Sequence, residues 1–257
     1  MTRLQDKIAV ITGGSRGIGR ATALRLAEEG AAVAVNYRQD ADSANAVVRE
    51  LEQRGHRAVA VRADVSDPAQ TGRLMDEVAD RLGGLHILVS NAGIEHFAPL
   101  AEITPDDFDR VFATNTRGQL FAAQHAARHL GQGGRILLMS SVSTQKSVFH
   151  HAVYAASKAA VEAMVRNLAP ELAERGITIN AIAPGGTRTD MAAEVSDKYT
   201  HPALHEMNID TPTAMRCMTA LGRLATAEEI AAAIAFLVSP DASYLTGATI
   251  PVNGGFF

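Results

Sequence analysis

The stretch Ile8-Ala-Val-Ile-Thr-Gly-Gly-Ser-Arg-Gly-Ile-Gly-Arg20 decides the fold. Its first part, Ile8–Thr12, reads as a strand apolar nearly throughout, the pattern of a strand buried on both faces. The chain then turns through Gly13, Gly14, Gly17 and Gly19, and a helical pattern follows. Glycine allows a sharp turn and a close approach of backbone to a ligand. A helix starting there offers free N–H groups and its positive end to a phosphate. The spacing is G-x-x-x-G-x-G rather than the commoner G-x-G-x-x-G, and a turn built only for packing could look alike.

Outward from this turn, short apolar runs alternate with helix-length segments. Further strands are expected at Ala32–Tyr37, Ala58–Arg62, Ile87–Ser90, Arg135–Ser140, Thr178–Ala183 and Ala248–Val252. Asp67-Pro68 and Thr104-Pro105 each place a capping residue before a proline that suits the first helical position. Thr226-Ala-Glu-Glu229 has the capping-box spacing. This alternation predicts an α/β fold, a single doubly wound parallel sheet with helices on both faces. No Pro/Gly/Ser-rich linker divides residues 1–257, so one dinucleotide-binding catalytic domain is expected. The segment from about 185 to 224 has little strand character and follows a strand end. It reads as a lid over a substrate, or as a structural excursion.

The end of the second strand reports on the ribose. An acidic residue about 20 positions after the glycine motif commonly holds the 2′-hydroxyl of NAD. Here the stretch is Asn36-Tyr37-Arg38, without an acid. A carboxylate would repel a 2′-phosphate, whereas Arg38 and Arg16 can pair with one. NADP(H) is therefore the expected cofactor, although both arginines would also suit plain solvated surface.

Composition narrows the function classes. Apolar residues make up 47% of the 257 and charged residues 20%, enough apolar material for a large core. The net charge of −4 comes without a basic patch, against nucleic acid or a membrane surface as partner. Cys217 is the only cysteine, which suits a reducing compartment and a cytoplasmic protein. His201 and His205 are four apart, but no third ligand is evident, so no metal is expected. Met207, Met215 and Met218 fall in the lid and could line an apolar pocket or simply pack.

Tyr154-Ala-Ala-Ser-Lys158 opens another helical pattern. The i, i+4 spacing puts both side chains on one face. A free phenol titrates at about 10, too high for acid–base work near neutrality unless a neighbouring charge assists it. Alone, such a pair is weak evidence. The whole chain, however, resembles the short-chain dehydrogenase/reductase family. Its cofactor turn resembles Thr12 to Gly19, including Gly13, Ser15, Arg16, Gly17 and Ile18. Its adenine-contacting pair matches Asp64-Val65, and its strand-four signature matches Asn91-Ala92-Gly93, with Ser90 where Asn is common. Among Ser140, Ser141 and Ser143, the family spacing selects Ser141. The helix asparagine matches Asn115, and the segment after strand six matches Pro184-Gly185, with Thr187 and Thr189 following.

The resemblance implies a division of labour. Ser141 orients the substrate carbonyl, Tyr154 donates the proton as NADPH delivers hydride, and Lys158 lowers the tyrosine pKa and binds the nicotinamide ribose. Asn115 holds a water joining Lys158 to solvent, and Thr187 contacts the carboxamide. Relatives are commonly tetramers, and a face of small or apolar residues (Ala156, Ala159, Ala160, Ala163 and Met164) would permit close helix contact. Within the family, the chain is most similar to polyhydroxynaphthalene reductases and related polyketide ketoreductases. The similarity runs through Phe108-Asp-Arg-Val-Phe, Asn115-Thr-Arg-Gly-Gln, His151-Ala-Val-Tyr and Ala183-Pro-Gly-Gly-Thr-Arg-Thr-Asp-Met191. That subgroup stacks a flat substrate on a lid tyrosine, and Tyr199 matches it. The expected reaction is reduction of a cyclic or aromatic polyketide-like ketone. The alternatives are a 3-oxoacyl-acyl-carrier-protein reductase, a sugar or alcohol dehydrogenase of the same fold, and a dinucleotide-sensing binding protein.

Overall fold

In the computed structural model, residues 2–199, 209–210, 213–214 and 217–256 are described. Seven strands form one sheet: β1 (Ile8–Ile11), β2 (Ala32–Tyr37), β3 (Ala58–Arg62), β4 (Ile87–Ser90), β5 (Arg135–Met139), β6 (Thr178–Pro184) and β7 (Thr249–Val252). The order is β3-β2-β1-β4-β5-β6-β7, and every pairing is parallel. The predicted doubly wound sheet is therefore the fold. Its order reverses between β1 and β4, and a crevice forms there outside the carboxyl ends of the strands.

Eight α-helices are described: α1 (Gly17–Glu28), α2 (Ala41–Gln53), α3 (Pro68–Leu82), α4 (Pro105–Phe112), α5 (Gly118–His129), α6 (Ala152–Ala173), α7 (Asp190–Glu194) and α8 (Ala227–Leu237). They lie on both sheet faces because neither face is polar. In β1, Val10 joins a core with Leu74 of α3, Ala126 of α5 and Val165 of α6. Its neighbours Ala9 and Ile11 point the other way, into a core with Leu26 of α1, Val47 of α2 and Ile234 of α8. Adjacent strand residues face opposite layers, so a strand covered on both sides must be apolar throughout.

The expected caps form. Asp67 accepts hydrogen bonds from Ala69 N and Gln70 N, ahead of Pro68. Thr104 with Asp107 and Thr226 with Glu229 make full capping boxes. Thr12 and Ser140 lie just past their strands but still donate to Val89 O and Ile182 O. One feature escaped the sequence pattern: between α4 and α5 the helix widens into a π turn, Ala113–Arg117. Such turns concentrate at functional sites, and this one carries Asn115.

The excursion between β6 and α8 is pinned at its base. Thr187 bridges to Ala225, Arg188 N donates to Ala225 O, and Ala225 N donates to Gly186 O. Near its end, Ala220 N and Leu221 N donate to Gly255 O and Gly254 O of the C-terminal strand extension. His201, His205, Met207 and Met215 lie outside the described residues. No helix among the described residues is long and apolar enough to cross a membrane.

Candidate active site

The crevice is a cleft of about 440 Å³. One end of it is the glycine turn. Gly13 and Gly17 have φ of 61° and 53°, which only glycine adopts freely. A Cβ on Gly19 would sit 2.1 Å from Gly13 O, so no side chain fits there. Asn91 Nδ2 donates to Thr12 O and Gly13 O, and Thr12 Oγ1 accepts from Ala92 N. Asn36 braces the other side: its Oδ1 accepts from Gly13 N, and its Nδ2 donates to Val61 O and Ala63 O. No described side chain caps the N-terminus of α1. The turn therefore presents a shaped backbone cradle with helix N–H groups free for an anion.

Ser15, Arg16, Gly17, Ile18, Arg38, Asp64, Val65, Asn91, Ala92 and Gly93 line this half of the cleft. Arg16 also reaches across to the segment after β6, Nη1 lying 3.2 Å from Glu194 Oε1 of α7. Asp40, two residues after Arg38, is engaged as the cap of α2 by Ser43 N and Oγ. Gly19 and Tyr37 do not line the cleft. Gly19 lies against Gly13 O, and the Tyr37 side chain packs on the α1/α2 core. Strand alternation is the reason: Asn36 takes the cleft face of β2, Tyr37 takes the other, and Arg38 just past the strand end returns to the cleft.

The opposite half holds Ser141, Tyr154 and Lys158, all buried. β5 delivers the serine: Ser141 accepts from Ser143 N in the turn Val142–Thr144. Behind that turn, Glu162 Oε1 of α6 accepts from Ser140 Oγ and Thr144 Oγ1, each at 2.7 Å. α6 delivers the other two from one face. Lys158 Nζ donates to Met139 O at 2.9 Å and lies 5.6 Å from the centre of the Tyr154 ring. Gln119 clamps the same Met139 through both N–H and C=O. Asn115 is fully buried beside the cleft rather than in its lining. Its Oδ1 accepts from Ile94 N, and its Nδ2 donates to Ile94 O and Ser157 Oγ. It thus ties the end of β4 to α6. Pro184 at the end of β6 and Gly185, Thr187, Thr189 and Tyr199 after it line the remaining side.

The electrostatics differ from the expectation in one respect. Burial pushes the Tyr154 phenol well above its ordinary range, the Glu95 carboxylate pushes it further, and a hydrogen bond from Ser141 opposes them. Lys158 is not among the groups that set it. Burial brings the Lys158 amine down to about 8, against the pull of Glu95. Both groups are buried, and burial disfavours the charged form of each. The phenol therefore carries its proton, but burial and Glu95 make it a weaker acid, so donation depends on the opposing hydrogen bond from Ser141 and on a nearby positive charge.

Glu95, Phe97 and His151 were not among the expected site residues. His151 stacks between Phe97 and Tyr154, with ring centroids 4.3 Å away on each side. Its Nε2 lies 2.7 Å from Glu95 Oε2, while Tyr199 Oη donates to Glu95 Oε1 at 2.8 Å. Neighbouring His150 is exposed, and its φ of 59° turns the chain so that the two histidines diverge. One sequence signal pointed here: Glu95-His-Phe97 follows a strand end, where doubly wound folds place ligands. Among the described residues no group of three His, Cys, Asp or Glu side chains could hold a metal ion.

A family described as enoyl-(acyl carrier protein) reductase matches residues 13–257. A hydroxynaphthalene reductase-like protein of Metarhizium majus is 45% identical, covering 98% of this chain and 95% of the relative. A versicolorin reductase of Emericella nidulans is 42% identical, with coverage of 99% and 97%. The crystal structure of a short chain dehydrogenase from Burkholderia cenocepacia J2315 in complex with NADP superposes with a TM-score of 0.88. It is 42% identical and covers 98% of each chain. Sheet order and likeness together define an oxidoreductase built on a Rossmann fold. The chain belongs to the short-chain dehydrogenase/reductase family.

Proposed function

We propose that the protein reduces a cyclic or aromatic polyketide-like ketone to the alcohol with NADPH. The observation that carries the reading is the buried Ser141–Tyr154–Lys158 cluster, set in one cleft with the glycine cradle. The relatives named for hydroxynaphthalene and versicolorin reduction, 42–45% identical over nearly the whole chain, support the substrate class.

The cradle of Gly13, Ser15, Gly17 and Ile18, with Gly19 packed behind it, would hold the pyrophosphate, with Arg16 and Arg38 at the 2′-phosphate. Asp64 and Val65 would flank the adenine. Asn91, Ala92, Gly93, Pro184, Gly185, Thr187 and Thr189 would line the nicotinamide half. When bound, NADPH supplies the hydride. Ser141 Oγ donates a hydrogen bond to the carbonyl oxygen and fixes its direction. Tyr154, kept protonated by burial and Glu95, gives its proton to that oxygen. The Lys158 ammonium then stabilises the phenolate left behind, and Asn115 holds the β4 end in register with α6.

The excursion from about 185 to 224 acts as the substrate lid, and residues 1–257 act as one catalytic domain. The single cysteine favours a reducing compartment, which we take to be the cytoplasm. We also place the protein in a homotetramer. Ala156, Ala159 and Ala163 are exposed on α6, and Phe108 of α4 is 46% exposed and stacked on Phe112.

The test is NADPH oxidation over diketones, quinones, naphthols and 3-oxoacyl thioesters. Turnover greatest on cyclic aromatic ketones is expected. Greater efficiency on 3-oxoacyl thioesters would overturn the substrate class, and no turnover at all would overturn the reaction.

A further inference from the structure

The Glu95 carboxylate sits where a substrate must pass. It lines the cleft with Ser141 and Tyr154, yet its side chain is only 12% exposed. His151, 2.7 Å from it, is stacked on the Tyr154 ring at 4.3 Å, so the carboxylate lies close to the phenol and acts on it by charge. Two groups hold it in place, His151 Nε2 and Tyr199 Oη.

The charge of this cluster follows from hydrogen-bond accounting. His151 is sandwiched between two rings, and its Nδ1 is buried without a partner among the described residues. An imidazolium would bury a charged Nδ1–H with nothing to receive it. A neutral ring donating through Nε2 leaves only a bare nitrogen, the cheaper arrangement. Tyr199 is neutral too, its phenol pushed far up by burial and by Glu95. Glu95, His151 and Tyr199 together therefore present one negative charge. The cation on the same side, Lys158, is directed to Met139 O. Behind Glu95 lies a second cavity of about 360 Å³, also lined by exposed Lys198 and by Arg110, whose guanidinium is paired with Asp107 at 3.1 Å.

We propose that Glu95, held by His151 and Tyr199, is a specificity-determining residue that admits uncharged ketones bearing a hydroxyl beside the carbonyl and excludes those bearing an anion there. A substrate hydroxyl can donate to Glu95 in place of Tyr199. A carboxylate or phosphate at the same point meets a fixed like charge away from water, where repulsion is poorly screened. The proposal rests on the ketone-reductase reading but does not need turnover for its test.

The test measures binding of 2-naphthol and 2-naphthoate to the enzyme saturated with NADP⁺, by calorimetry near pH 7. The unmodified protein is expected to prefer the naphthol by at least about tenfold. Glu95→Gln, which keeps the shape and removes the charge, narrows that preference at least about tenfold. Glu95→Asp, which keeps the charge, retains it. Equal affinities in the unmodified protein, an unchanged ratio in Glu95→Gln, or binding of neither probe overturns the proposal. A ratio that shifts as expected while no ketone is reduced in the screen overturns the reaction assignment and leaves the role of Glu95 standing.

Discussion

The imidazole of His151 lies flat on the phenol of Tyr154, ring centroids 4.3 Å apart and planes 8° from parallel. This contact, with Phe97 on the far side, fixes the plane of the candidate proton donor. The stack depends on the ring and not on its hydroxyl. Tyr154→Phe should therefore leave the fold and NADPH binding intact while removing the proton. A loss of at least about a hundredfold in turnover is expected, with NADPH affinity by fluorescence unchanged. Turnover within a few-fold of normal would remove Tyr154 from the chemistry.

The pH dependence should follow Lys158. Burial lowers its amine to about 8, so the ammonium is lost as pH rises through that value. kcat/KM for ketone reduction should fall over the same range. Its contribution to stability has the opposite sign. Between about 8 and its ordinary value of 10.5 the unfolded chain binds the proton and the folded chain does not, so this group's contribution rises with pH there. A rate profile flat up to about pH 9.5 would exclude Lys158 as the controlling group.

Cofactor choice should turn on Arg38. The arginine lines the cleft beside Ala63 and Asp64, and the nearby acid Asp40 is committed to its cap. Arg38→Asp should lower the kcat/KM ratio of NADPH to NADH by at least about tenfold, since a carboxylate repels a 2′-phosphate and accepts from a 2′-hydroxyl. Equal or better efficiency with NADH in the unmodified enzyme would contradict the assignment.

Tyr199 holds Glu95 and meets both Phe97 and His151 edge-on, at 5.1 and 5.7 Å. Tyr199→Ala should raise the Michaelis constant for a bicyclic aromatic ketone roughly tenfold, through lost stacking and apolar contact. A small aliphatic diketone, which cannot stack, should be affected much less. Equal losses on both would make Tyr199 a structural part of the lid.

The exposed alanines of α6 predict assembly. Light scattering at micromolar concentration should report a tetramer, and Ala159→Arg should reduce the mass. A monomer mass for the unmodified protein would refute the tetramer.

Much of this molecule was legible along the chain because its signals are local. A strand buried on both faces must be apolar throughout, so β1 announces itself as Ile8-Ala-Val-Ile11. Thr104 with Asp107 and Thr226 with Glu229 satisfy helix N–H groups within one turn, and the spacing shows it. Tyr154 and Lys158 share a helix face for the same reason. What lay beyond reach depends on contacts distant in sequence. Tyr37 looked like a ribose contact until strand pairing set which face of β2 each residue takes. Asn36, an amide in an apolar run, gained its role as brace only when β2 met Gly13 and β3. The π turn at Asn115, whose side chain reaches the backbone of Ile94, left no mark in the local pattern. Sequence by itself determined the sheet, the glycine turn and the pairing of Tyr154 with Lys158 on one helix face, each encoded by periodicity, backbone freedom or fixed spacing, and the family resemblance pointed to Ser141. Only the tertiary structure decided that Glu95, His151 and Tyr199, from three separate elements, converge on Tyr154, because burial and charge at one point are summed over space and not along the chain.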